Sequence, residues 1–116
     1  MNSFIKVMKA LSDTNRVKIV KMLQYKPLCV CEIKEALGVA QSTASKHLKI
    51  LEDAGLLKSF KDGLWVNYSL DDGSNSPFAA SLIGNLKHWL EDDPNIEDLK
   101  KIIPDLDRHA IVDKKD

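Results

Sequence analysis

The only two cysteines of the chain, Cys29 and Cys31, stand one residue apart in the stretch PLCVCEIKEA, residues 27 to 36. Thiolates hold soft metal ions and carry redox chemistry, so a close pair is a candidate for either role. A disulfide between residues so near one another would be strained, which disfavours a crosslink. The plain alternative is that both are small apolar core residues, a common fate of free cysteine. Enzymatic patterns are missing around the pair. The sequence has no glycine-rich phosphate loop, no Ser-His-Asp context and no alternation of strands and helices to frame a thiol oxidoreductase, so an enzyme is not expected.

The elements that must position the thiols follow from composition and periodicity. A chain of 116 residues, 44% apolar and 29% charged, suits one globular domain with its own core. No segment reaches membrane-spanning length and none reads as a signal peptide, which predicts a cytoplasmic protein without membrane contact, where thiols stay reduced. The net charge of zero conceals an asymmetry. Residues 1 to 70 carry 11 Lys/Arg against 6 Asp/Glu, and residues 71 to 116 carry 6 against 11. The basic part suits a polyanion such as nucleic acid, and the acidic part suits solvent or a partner surface.

Phe4, Val7, Met8 and Leu11 at helical spacing predict a first amphipathic helix, and Val17, Val20 and Leu23, with Ile19 beside them, a second, capped by Ser12 or Asp13 and ended before Pro27. A third should run from Val30 to Leu37 and stop at Gly38. The stretch STASKHLKILEDAG reads as a fourth, closed by Gly55. Its buried face centres on Ala44, Leu48 and Leu51, and its outer face carries Ser42, Ser45, Lys46, Lys49 and Asp53. A helix, a short turn and a second helix with a small, polar, basic face is the pattern of a helix-turn-helix, whose second helix enters the major groove.

Two strand-forming runs around Asp62-Gly63 predict a hairpin, with Leu64, Val66, Tyr68 and Leu70 on its packed face and Trp65, Asn67 and Ser69 on its wet face. Lys58 and Lys61, expected near the hairpin tip, would reach phosphates beside the groove, contacts that position without specifying sequence. After the loop DDGSNS, Pro77 opens a helix expected to run to about Asp92 with Phe78, Leu82, Leu86, Trp89 and Leu90 as its apolar stripe. That stripe and the one on the first helix exceed what so small a domain needs, which suggests pairing across a dimer. The expected organisation is a winged domain over residues 1–92, then a short helix near Asn95 to Ile103 and a tail over 93–116. The fold class is mainly α with a small β-hairpin wing, a winged helix-turn-helix, dimeric through its first and last helices.

The run CVCEIKEALGVAQSTASKHLKILEDAGLL followed by KDGLWVNYSL resembles the ArsR/SmtB group of metal-responsive repressors over roughly residues 4 to 92. The resemblance rests on HLKIL at His47 to Leu51 and AGLL at Ala54 to Leu57. It implies a homodimer that binds operator double-stranded DNA and lets go when an inducer binds. It also implies DNA contacts from Gln41, Ser42, Thr43, Ser45, Lys46 and His47, with Lys49 near phosphate. Gln41 suits adenine and Lys46 suits guanine or phosphate. His47 lies on the flank of the buried face, where a half-core histidine and a DNA contact are equally good readings.

Within a regular helix, residues two apart do not face each other, so one ion joining Cys29 and Cys31 must deform that turn. Coupling of this kind typically amounts to about 1 to 3 kcal/mol. The helix N-terminus favours thiolate. Sulfur ligation selects soft species, namely arsenite, antimonite, cadmium or lead. CVC followed by an acid, here Glu32, resembles the arsenite-type sensors, which makes arsenite or antimonite the expected inducer and Cys29 and Cys31 its ligands. Those sensors often carry a third cysteine where this chain has Lys34. The family's zinc site would need His88 and Glu91 joined by an Asp-x-His element, but Asn75 and Pro77 occupy its place, so His88 reads as a surface or interface histidine and His109 as solvated. Other thiophilic metals (cadmium, lead, zinc), thiol oxidation and persulfides are the alternative stimuli.

Overall fold

Asp13 starts the central helix. In the computed structural model, which describes residues 1 to 109 and residue 111, its carboxylate accepts from the backbone N–H of Arg16 at 3.1 Å. Helix α1 (Asn2–Ala10) precedes this cap and α2 (Thr14–Leu23) follows it. Five consecutive residues of α2, Ile19 to Leu23, are buried, more than an amphipathic stripe supplies, because α3, α4 and α6 all pack around this helix. The chain then forms α3 (Val30–Leu37) and α4 (Gln41–Asp53). Gly38 separates them in the left-handed conformation, φ 70°, and its N–H reaches back to Lys34 O at 2.9 Å, a helix stop that a residue with a Cβ adopts only at a cost. These boundaries follow the expected ones closely.

The hairpin forms as β2 (Leu57–Asp62) and β3 (Trp65–Leu70), turning at Gly63 with φ 63°. A third strand, β1 (Leu28–Cys29), was not foreseen. It pairs antiparallel with β3, Leu28 opposite Tyr68 and Cys29 opposite Asn67, so the sheet order is β1-β3-β2. Two residues are too few to leave a periodic signal, and only the long-range partner defines them as a strand.

Tyr68 and Leu70 of β3 pack against the core as expected, but the facing of its first half is corrected. Leu64 lies in the turn and is fully exposed, Val66 is exposed, and Asn67 is buried. The reason is tertiary: Glu32 and the segment Pro104–His109 gather around Asn67, so the face expected to be wet is covered by chain from far away.

The helix expected to reach Asp92 is also shorter. Helix α5 (Pro77–Leu86) starts at a Ser76 cap and buries Ala79, Ile83 and Leu86. Lys21 ends it. Its ammonium, 1% exposed, donates to Leu86 O at 2.7 Å and Trp89 O at 2.8 Å and lies 3.2 Å from Glu91 Oε2. These are carbonyls that a continuing helix would have bonded to its own backbone. Leu90 follows with φ 63°, and Asp93 caps α6 (Pro94–Ile102). A 3-10 turn, Ile103–Asp105, continues it. Ile96, Leu99, Ile103 and Leu106 join the same core as α2, so α6 is covered by its own chain. The surface beside α1 belongs to α5, the helix whose stripe is expected to pair with the first, while α6 is taken up by the core. The expected domain boundary falls between Glu91 and Asp93, and the tail beyond His109, Ile111 apart, lies outside the described residues. No helix among the described residues is long and apolar enough to cross a membrane.

Candidate functional site

Cys29 is the N-cap of α3. Its backbone is extended, φ −84° and ψ 166°, and its N–H donates to Glu32 Oε1 at 2.9 Å. This is one half of a capping box, with Glu32 three residues on as such a box requires. Cys31 is the second residue of the helix, within its first turn. The expectation that one ion must break a regular turn to touch both sulfurs is corrected here: Cys29 stands outside the helix, so its side chain is not bound to helical spacing.

The expected ease of ionisation at the helix N-terminus is also reversed for Cys29. Burial, then the neighbouring Cys31 thiol, push its pKa up to about 12 against the backbone N–H of Glu32, and the Glu32 carboxylate adds to the rise. In a site only 1% exposed, loss of water outweighs the helix dipole. Cys29 therefore stands as a thiol at neutral pH.

A cleft of about 290 Å³ opens beside the pair. It is lined by Cys29, Val30 and Cys31, by Gln41, the first residue of α4, and by Leu64, Trp65 and Val66 at the wing. The thiols, the start of the helix with the basic face and the start of β3 thus share one wall. Among the described residues no group of three or more His, Cys, Asp or Glu is placed to hold a metal ion.

On α4, Gln41, Ser42, Thr43, Ser45, Lys46 and Lys49 are exposed, while Ala44, Leu48 and Leu51 are buried. Lys49 makes an ion pair of 3.6 Å with Asp53. His47 is half-buried, and its Nδ1 lies 3.3 Å from Arg16 Nη1. An arginine can only donate, so Nδ1 accepts and the ring proton sits on Nε2. Arg16 also donates from Nε to Ala10 O at 2.7 Å, tying the end of α1 to the middle of α4. The structure thus holds one ring nitrogen of His47 against Arg16, which favours the half-core reading for that side of the ring.

On the wing, Lys61 stands next to the turn as expected, but the expected tip position of Lys58 is corrected: it pairs opposite Ser69 at the base of the hairpin, near Asp72, because the turn lies four residues further on. Glu52 of α4 accepts from the Ser59 hydroxyl at 2.8 Å and so fixes the wing to the end of that helix. His88 is exposed. Glu91 lies between Lys100, at 3.0 Å, and Lys21, and these two cations hold its carboxyl below the usual range. It has no proton to lose and already has two cationic partners. Sequence reasoning missed Trp65, Leu64 and Val66 as walls of the thiol cleft and Arg16 as the anchor of His47. Only the capping spacing of Cys29 and Glu32 was visible locally.

The model of bacterial regulatory proteins of the arsR family matches residues 13–59. An uncharacterized HTH-type transcriptional regulator of Methanocaldococcus jannaschii is 40% identical over 67 residues, 57% of this chain and 75% of that protein. The chain belongs to the arsR family. The family is one of regulators and not of enzymes. A cadmium resistance transcriptional regulatory protein CadC homolog of Staphylococcus aureus is 47% identical over 68 residues, 58% of this chain and 56% of that protein. The arsenical resistance operon repressor of Escherichia coli is 42% identical over 67 residues, 57% of each. The chain thus spans little more than half the length of these two relatives. Among solved structures, the homodimeric winged helix-turn-helix DNA-binding domain of a possible ArsR-family transcriptional regulator from Mycobacterium bovis aligns with a TM-score of 0.63 at 25% identity, over 80% of this chain and 86% of that one.

Proposed function

We propose that the protein is a dimeric DNA-binding repressor that leaves its operator when arsenite or antimonite joins Cys29 and Cys31. The observation that carries this reading is the shared cleft: anything bound to the two sulfurs occupies space walled by Gln41 and by Leu64, Trp65 and Val66. A ligand there biases the relative placement of α4 and the wing, the two elements that would straddle the major groove and its flanking phosphates. Gln41, Ser42, Thr43, Ser45 and Lys46 supply base-edge and phosphate contacts, His47 adds the ring nitrogen not held by Arg16, and Lys49, Lys58 and Lys61 supply charge.

The donor set favours a trivalent metalloid. Each thiol condenses with one hydroxyl of arsenous acid: two As–S bonds form, two water molecules leave, and the remaining hydroxyl serves as the third arm that Lys34 does not supply. Cadmium is the alternative, supported by the likeness to the S. aureus cadmium relative, and it would need donors beyond the two sulfurs. For the dimer, Phe4, Ile5 and Met8 of α1 and Phe78 of α5 are large apolar side chains left exposed, with the Phe4 and Phe78 rings edge to face at 5.4 Å. A self-complementary face of this kind suits a two-fold pair and two half-sites about one helical turn apart, or a multiple of it.

The test is fluorescence anisotropy of the reduced protein on the duplex upstream of its own gene, titrated with arsenite, cadmium and zinc. Release by arsenite, lost in Cys29→Ser and Cys31→Ser while DNA binding persists, supports the reading. Tight binding that ignores every metal removes the thiol site from the function.

A further inference from the structure

The acidic last third of the chain returns one cation to the wing. Arg108 places its guanidinium 3.1 Å from Asp62 Oδ2 and 4.9 Å from the centre of the Trp65 ring. His109 meets the same ring edge to face at 5.7 Å. Asp62 is the last residue of β2 and Trp65 the first of β3, so Arg108 clasps both ends of the hairpin turn. The clasp is anchored behind by Leu106 and Ile111, both buried. Trp65 thus receives Arg108 and His109 and also lines the thiol cleft.

Two consequences follow. An uncovered Asp62 carboxylate at the wing tip, next to Lys61, would repel the phosphates that Lys61 attracts, and Arg108 cancels it. A two-residue turn on a two-stranded projection is a flexible platform, and a guanidinium bonded to one strand and stacked on the other stiffens it. We propose that Arg108 is a positioning residue for DNA binding, covering Asp62 and holding Trp65 as the wall shared by the wing and the thiol cleft. The inference rests on the DNA-binding reading above and adds to it a residue from outside the helix-turn-helix and wing.

The test uses the full chain with Arg108→Ala, Asp62→Asn and the double variant. Two readouts are followed: the indole N–H resonances of the DNA-free protein, with Trp65 assigned by its loss in Trp65→Phe, and affinity for the upstream duplex against salt. Arg108→Ala should shift the Trp65 resonance and leave that of Trp89 in place, whereas general loosening of the fold would move both. The same variant should bind DNA about three- to tenfold more weakly at low salt, with the difference shrinking as salt rises. The double variant restores the wing's net charge, so it should recover affinity while the Trp65 resonance stays shifted. An unmoved Trp65 signal, or Arg108→Ala binding as tightly as the parent, overturns the proposal. Failure of the double variant to recover affinity overturns the covering role of Arg108. Failure of the parent protein to bind the duplex sinks the DNA-binding reading instead.

Discussion

The protonation state of Cys29 leads to a test that separates the two candidate inducers by proton count. With its pKa pushed up to about 12, Cys29 is a thiol throughout the range from about pH 6 to pH 8. A cadmium ion binds thiolate, so it must expel the Cys29 proton; its apparent affinity should rise about tenfold per pH unit from this group alone, or about a hundredfold across the range. Arsenous acid is neutral over the same range and trades each S–H for water, so its affinity should be flat with pH. Isothermal titration calorimetry in buffers of different ionisation heat counts the protons directly: at least one per site for cadmium and none for arsenite. Cadmium binding without proton release would mean that Cys29 is already a thiolate and would refute the argument from burial. Proton release on arsenite binding would refute the condensation chemistry. The perturbation that checks the assignment is Cys29→Ser, which should lower the cadmium proton count by the share of this one thiol. The linkage also runs through stability: a thiol whose pKa is raised on folding stabilises the metal-free protein below about pH 9, and that contribution fades as pH climbs toward about 12.

Lys21→Met would strip the carbonyls of Leu86 and Trp89 of their donor and should cost about 2 to 4 kcal/mol in urea unfolding; a loss under about 0.5 kcal/mol would show that water replaces the ammonium at that helix end. Gly38→Ala meets open space but a left-handed backbone, so thermal melting should report a loss of about 1 kcal/mol from conformation alone, and an unchanged Tm would contradict the αL stop. Phe4→Asp or Phe78→Asp places charge on the α1/α5 face and should shift sedimentation toward monomer with the helical circular dichroism retained; a persisting dimer would assign the interface elsewhere.

Local signals decided the first half of the molecule. The Asp13 cap, the Val30 to Leu37 helix, the Gly38 stop, the polar face of α4 and the Asp62-Gly63 turn all depend on neighbours within about one turn of chain, and such interactions are written in spacing. The same holds for the choice of Cys29 and Cys31 as candidate ligands. What spacing could not show is what a distant segment does to an element. Helix α5 stops at Leu86 because a lysine 65 residues earlier takes its carbonyls, and an apolar stripe through Trp89 and Leu90 gave no hint of it. Asn67 is buried and Val66 exposed because residues 104 to 109 and Glu32 gather on the side of the sheet that alternation assigned to water. Cys29 is held as a thiol because β1 pairs with β3 and buries it, so desolvation overrides the helix end that the sequence placed beside it. The sequence by itself determined the first four helices, the hairpin turn, the basic helix face and the two sulfurs. The tertiary structure decided which wall the sulfurs share, which cation pairs with Asp62 and how strongly Cys29 keeps its proton, because burial and long-range contact set those energies and neither is a function of neighbouring residues.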